Sequence, residues 1–402
     1  MLVCLLASVV LFGHAIARPA IESLFLKAHG AAGLPSVWIA VAVTAVLTVT
    51  AYNAAAARYP LGTVMIGSVL GSLSLLVVLV LLHGTGWRLS AFWLYVWKDV
   101  HIVVLLEALW SFANLVFKQQ TARWAYGMFC AAGSVGGISG NLVVGKLALA
   151  WSTEASLWLV APMFVVQVGL VAWLAKAAGQ PQPQSQSVKG EASSFALLRN
   201  SPYLIWLLAL VGLVQVVITL IDYTYNDAIA LAYPDTDART VVIGRVYAAI
   251  DGSALAFQLA TGLVLRALGL RATLLSIPAL LGMVVASFAI APRFALMAIT
   301  KVASKAFDYS LFRAAKEMLY LPLSYGEKTR GKALVDMLTY RVAKGGASLL
   351  LLGLLALGIK SGVLLIILGL IGAWLVVTLA VTKRHEKLIE RSSTTGVERP
   401  TD

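Results

Sequence analysis

Apolar residues run along this chain in blocks long enough to cross a bilayer, separated by short polar breaks. A hydrocarbon core takes about 20 apolar residues per helix. Twelve such blocks can be drawn, at 2–26, 34–57, 62–83, 92–117, 125–149, 155–175, 203–230, 241–264, 272–291, 294–321, 333–358 and 362–382. The one long polar interruption is 176–202, where Gly179 leads a Gln-, Pro- and Ser-rich run up to Ser187. That composition makes a linker, and it falls between the sixth and seventh blocks. The pattern predicts an all-α membrane protein with twelve transmembrane helices in a 6+6 major facilitator-type arrangement. A first six-helix bundle is expected over 1–175, a cytoplasmic linker over 176–202, a second bundle over 203–382 and a cytoplasmic tail over 383–402. Ala15-Ile-Ala17 has the form of a signal-peptide cleavage site, but no basic region precedes it and the apolar run continues to Leu26. The first helix is therefore expected to be retained.

Composition narrows the class. Of 402 residues, 60% are hydrophobic and 12% charged, where soluble domains run near 25% charged. This excludes a soluble globular domain, a disordered chain and a nucleic-acid-binding domain, despite the net charge of +13. The basic excess is explained by topology. With both termini in the cytoplasm, the inner loops and tail hold Arg58, Lys118, Arg123, Lys176, Lys189, Arg199, Arg266 and Arg271. They also hold Lys328, Arg330 and Lys332, then Lys383, Arg384, Lys387, Arg391 and Arg399. The outer loops hold only Lys27, Arg88, Arg239, Arg293 and Lys360. The positive-inside rule supports this orientation. Cys4 and Cys130 both sit in apolar runs, which fits neither a disulfide framework nor a cysteine zinc site.

Charges within the spans are the main functional signal. Each costs at least ~2.5–3.5 kcal/mol at a helix centre, even on the milder insertion scales, so they must face water or each other. Lys146, Lys316 and Glu317 lie near span ends and can snorkel. The rest cluster on certain spans. The first has Arg18 and Glu22, four apart; the fourth has Lys98, Asp99 and Glu107; the seventh has Asp222 with Tyr225, Asn226 and Asp227. The eighth has Arg245 and Asp251; the tenth has Lys301, Lys305, Asp308 and Arg313; the eleventh has Asp336, Tyr340, Arg341 and Lys344. Spans two, three, six, nine and twelve carry none. A central wet cavity lined by spans one, four, five, seven, eight, ten and eleven is expected. Buried pairs stabilise weakly, so salt bridges serving structure alone account poorly for so many charges. A short echo between Glu107–Asn114 and Glu317–Ser324, each before a glycine pair (Gly136-Gly137 and Gly345-Gly346), is consistent with two parallel repeats.

Smaller signals have plainer readings. Gly133, Gly136, Gly137 and Gly140 form two G-x-x-x-G spacings in an apolar helix, which predicts close helix packing rather than a phosphate loop. His14 and His101 lack the clustered partners of a metal site and are expected to be hydrogen-bonded, with a proton role open. Trp87, Trp93, Trp124, Trp151 and Trp206 sit near span ends, as interface anchors do. No nucleophilic triad or water-facing carboxylate pair stands out, and no soluble catalytic domain fits, so no enzyme activity and no cofactor are expected.

Tyr309-Ser-Leu-Phe-Arg-Ala-Ala-Lys-Glu-Met-Leu-Tyr-Leu-Pro-Leu323, continuing through Glu327-Lys-Thr-Arg-Gly-Lys-Ala-Leu-Val-Asp336 to Lys344-Gly-Gly346, resembles the ATP/ADP translocase family of plastids and intracellular bacteria. Looser similarity lies in Arg18 with Glu22-Ser-Leu24, in His29–Pro35, in Leu106–Trp110 before Phe112–Asn114, and in Leu220–Tyr225. The resemblance implies functional roles for Glu107, for Asp222 (where the family has glutamate), for Lys344 and for Arg18. Pro19, Ile21 and Asn226 stand where the family has aspartate, lysine and lysine.

The expected function is alternating-access transport of a small organic anion, with ATP/ADP-type nucleotide exchange first because of the resemblance. Arg18, Arg245, Lys301, Lys305 and Lys344 would attract phosphate or carboxylate; Glu107, Asp222 and Asp308 would pair with these bases in the empty site. A proton-coupled carrier of another metabolite and a non-transporting membrane scaffold are the alternatives. The expected partners are the substrate and the lipid bilayer, without nucleic acid. Helical spans fit a bacterial inner membrane.

Overall fold

A computed structural model describes residues 1–116, 122–178, 201–323, 342–359 and 362–394, with single positions 327, 332 and 335. Most of the linker, most of the 328–341 stretch including Asp336, Tyr340 and Arg341, and the end of the tail lie outside the described residues. Every regular element among the described residues is helical. In the first part of the chain these are α1 (Leu2–His29), α2 (Leu34–Ala56), α3 (Leu61–Gly84), α4 (Ser90–Val116), α5 (Ala122–Ala150), α6 (Thr153–Trp158) and α7 (Val160–Ala178). Then follow α8 (Pro202–Ala232), α9 (Thr236–Ile290), α10 (Phe294–Phe307), α11 (Arg313–Leu319), α12 (Lys344–Ala356) and α13 (Gly362–Thr394).

Local chemistry sets the breaks. The Ser152 hydroxyl accepts from the Ala155 amide at 3.0 Å and caps α6, and the Asp235 carboxylate accepts from Ala238 N–H at 2.7 Å at the start of α9. Both satisfy amide groups that a helix start leaves open. At 1.5 Å per residue α9 would be about 80 Å long, far beyond a bilayer core of about 30 Å. Gly269 interrupts it at φ 76°, a conformation that costs glycine little and other residues much. Each portion on either side of Gly269 is long enough to cross a membrane.

Among the described residues, eight helical stretches are both long and apolar enough to span, fewer than the twelve blocks of the sequence. The difference has local causes. One of the eight is the whole of α9. α4 carries three charges, Lys98, Asp99 and Glu107. The tenth block is broken into α10, a π-helical segment Asp308–Phe312 and α11. The eleventh is described only from residue 342. Large apolar side chains such as Leu259 (79% exposed) and Leu365 (71%) point outward. In water such a surface would be an association hazard; against lipid it is the expected one.

By contacts the chain divides into two compact units, one of residues 1–187 with 226–255, the other of 188–225 with 256–402. In the first unit α1 packs against α5 through the small-residue stripe. A Cβ on Gly136 would collide with the Ser8 carbonyl, and one on Gly140 would lie 2.5 Å from the Phe12 oxygen. The G-x-x-x-G spacings are thus where two backbones meet. Residues 226–255 are fastened to this unit by buried polar contacts. Arg239, 3% exposed, donates to the Ser23 carbonyl at 2.8 Å and to the Ser23 hydroxyl at 3.0 Å. Asp237 accepts from both the amide and the hydroxyl of Thr153, at 2.7 and 2.6 Å, and Asn141 donates to Asp251 at 3.0 Å.

In the second unit Tyr203 donates to the Leu319 carbonyl at 2.9 Å. The Arg384 guanidinium lies 4.3 Å from the Trp206 ring centre. The indole of Trp374 is fully buried against Phe312.

Candidate transport site: two buried ion clusters

Each unit holds a knot of ions among its apolar helices. In the first, Glu22 of α1 is the hub. Lys98 of α4 reaches it at 3.2 Å and Arg18 at 3.6 Å, while the Tyr247 hydroxyl donates to it at 2.8 Å. Lys98 also donates to Asp99 at 2.7 Å and lies 3.7 Å from the Tyr95 ring centre. The Arg18 guanidinium stacks 3.5 Å over Tyr247. Lys98 is 1% exposed, so its ammonium depends on Glu22, Asp99 and the aromatic face in place of water.

In the second unit Asp222 of α8 is the hub. Lys301 and Lys305 of α10 reach its two oxygens at 2.7 and 3.0 Å. Lys301 is 2% exposed, and the Tyr225 ring centre lies 5.1 Å from its ammonium. Gln215 donates to Asp308 at 3.3 Å, where the π-helical segment begins. Spacing four puts Lys301 and Lys305 on one face of α10, which lets one carboxylate serve both. Asp222 and its two lysines together carry a formal charge of +1.

The clusters occupy matching places in their elements. Glu22 is 20 residues after the start of α1 and Asp222 is 20 after the start of α8. Lys98 is 8 after the start of α4 and Lys301 is 7 after the start of α10. In each unit an acid on one helix meets a lysine on another.

The residues singled out in the sequence divide accordingly. Arg18, Asp222, Lys301 and Lys305 lie in the clusters, and Asp308 lies beside the second. Glu107 and Arg245 are exposed. Glu107 makes no ion pair among the described residues; Lys98, nine residues earlier on the same helix, makes two. Lys344 begins α12 and is half-buried. His101 is hydrogen-bonded, its Nδ1 2.7 Å from the Ser72 hydroxyl, whereas the buried Nδ1 of half-buried His14 has no partner among the described residues. Tyr247, Arg239 and Asp237 were not legible as site or anchoring residues: Tyr247 is an ordinary span aromatic, and the other two sit where a loop is expected. Among the described residues no group of three or more His, Cys, Asp or Glu side chains could hold a metal ion.

Long apolar helices with charges drawn inward into clusters mark a membrane protein, and solved transporters share its fold. The nucleoside transporter NupG, in a single-site mutant form, superposes with a TM-score of 0.72 at 12% identity, covering 94% of this chain and 99% of that one. The POT family transporter PepTSo gives 0.67 at 12% identity, covering 96% and 98%. At such identities these likenesses show the fold alone, one shared with these solved transporters.

The family resemblance is found independently in sequence. Residues 289–385 match the model described as TLC ATP/ADP transporter. The ADP,ATP carrier protein 1 of Chlamydia pneumoniae is 26% identical over 359 residues, covering 76% of this chain and 68% of the carrier. That of Chlamydia muridarum is 26% identical over 329 residues, covering 67% and 59%. The chloroplastic ADP,ATP carrier protein 2 of Arabidopsis thaliana is 25% identical over 351 residues, covering 75% and 56%. The chain therefore resembles the TLC ATP/ADP transporter family, transporters and not enzymes, while spanning about 56–68% of these relatives' length.

Proposed function

We propose that this protein exchanges nucleotides of the ATP/ADP type across a membrane by alternating access. The observation that supports this most is the pair of matched acid–lysine clusters on a chain that resembles the ADP,ATP carriers. A polyphosphate entering the second cluster competes with Asp222 for Lys301 and Lys305. One entering the first competes with Glu22 for Arg18 and Lys98. Each phosphate oxygen that replaces a carboxylate preserves the charge-assisted hydrogen bonds of a buried base, and the released acid is the differential interaction an exchange cycle needs. Lys344 supplies a further cation, and strict exchange needs no cofactor.

The reading includes twelve spans in two bundles of six with both termini in the cytoplasm, consistent with the loop charges. It also includes a bacterial inner membrane as location. Proteoliposomes loaded with ADP test it: labelled ATP should enter them and should not enter unloaded vesicles. Uptake driven by a pH gradient without internal nucleotide would instead establish a proton-coupled carrier. No uptake of any screened anion would leave a scaffold.

A further inference from the structure

A groove of about 860 Å³ lies between α2 and α3, with α4 as its floor. Two stripes of small residues border it: Thr44, Thr48, Ala51 and Ala55 on α2, and Gly67 with Gly71 on α3. Small residues at such spacing normally let helices in a membrane touch, as the glycines of α5 do on α1. Here they stay apart, and a Cβ added at Gly67 or Gly71 meets nothing within 4 Å. Left empty, walls of this kind forfeit dispersion contacts along their whole length.

We propose that the groove binds one bilayer phospholipid, with an acyl chain lying between α2 and α3. Three features select this occupant. The first is location and shape. Both helices are long and apolar enough to span, so the molecules that meet the groove are those of the bilayer. From Thr63 to Leu79 its α3 wall runs about 24 Å at 1.5 Å per residue, close to a hydrocarbon core of about 30 Å.

The second is the mouth. Tyr59 and Thr63 border it at the α2–α3 turn, and exposed Arg58 in that turn offers a cation for the headgroup phosphate. Tyr52, one turn before the end of α2, lines the groove, and its hydroxyl has no partner among the described residues. That is the depth at which tyrosines meet the polar boundary of a bilayer. The third is the floor, where the polar groups are turned on one another. The Trp97 indole donates to the Ser72 hydroxyl at 2.9 Å, and that hydroxyl meets His101 Nδ1 at 2.7 Å. The Trp97 and His101 rings stack within 8°. What remains facing the groove suits a hydrocarbon chain.

The test uses the full chain in vesicles of phosphatidylethanolamine and phosphatidylglycerol, with a trace of phosphatidylglycerol bearing a diazirine in its acyl chain. After illumination, peptide mapping should place the label on 44–55 and 63–79 severalfold above the lipid-facing positions Leu259, Leu263 and Leu365. A Gly67→Leu, Gly71→Leu variant, which fills the groove without meeting backbone, should lose that excess while the labelling of the other faces stays constant. Arg58→Ser should lower it as well, and it keeps the proposal testable if the filled variant folds poorly. Even labelling of all apolar faces would overturn the proposal. So would groove labelling unchanged in the variants, or crosslinks joining two copies through α2 and α3.

Discussion

Replacing Asp222 by Asn keeps the side chain's size and removes the charge on which two lysines converge. Lys301 is 2% exposed and its ammonium lies 2.7 Å from one carboxylate oxygen; Lys305, 3.0 Å from the other, is 14% exposed at the side chain. At an effective dielectric constant of about 20, a pair some 4 Å apart attracts by roughly 4 kcal/mol, largely offset in the native protein by the desolvation of both partners. The substitution removes the attraction and leaves the desolvation standing, with two cations facing each other. Breaking a buried pair from one side costs about 3–5 kcal/mol. Lys305 can turn toward water; Lys301 cannot, so the loss should trace mainly to Lys301. The clean measurement is a cycle of four proteins, wild type, Asp222→Asn, Lys301→Met and both together, followed by thermal unfolding in one detergent. Asp222→Asn should melt well below wild type. The double variant should recover most of that loss, because methionine fills the lysine's place without a charge. If Asp222→Asn melts with the wild type, or the double variant is as unstable as the two single losses added, the lysines do not depend on Asp222.

Further outcomes follow from the same geometry. Glu22→Gln should reduce nucleotide uptake at least tenfold in loaded proteoliposomes with a smaller loss of stability than Asp222→Asn, since Lys98 keeps Asp99; uptake at the wild-type rate would remove Glu22 from the site. Gly136→Leu should abolish folded protein in size-exclusion chromatography, because the side chain would occupy the Ser8 carbonyl, whereas overpacking at a yielding site costs only about 1–3 kcal/mol; a monodisperse, stable variant would refute the α1–α5 contact. Asp237→Ala should cost about 1–3 kcal/mol by leaving the Thr153 amide without its acceptor, read as a lower melting temperature; no change would show that residues 226–255 are not held there. Lys344→Ala should stop uptake without shifting the melting temperature, and retained uptake would take Lys344 out of the reading.

The sequence by itself determined that this is a helical membrane protein that keeps its charges on particular spans. The length and spacing of apolar blocks are one-dimensional quantities, and hydrocarbon admits few answers to them. It also marked span five as a close-packing helix, because glycines at spacing four mark where backbones approach; that α1 is the partner came from the packing. Arg18, Asp222, Lys301 and Lys305 were legible as charges too costly to be idle. Their partners were decided only by the tertiary structure. Glu107 and Lys98 lie on one span and look equally costly; helix rotation makes Lys98 the buried partner of Glu22 and leaves Glu107 exposed. Arg239 and Asp237 sit in a stretch polar enough to be a loop, yet they fasten residues 226–255 to the first unit, across the linker that divides the chain by composition. Buried polar contacts join residues about 80 to 220 positions apart. Local periodicity says which face of a helix is charged, and only packing says which charge waits on the other side.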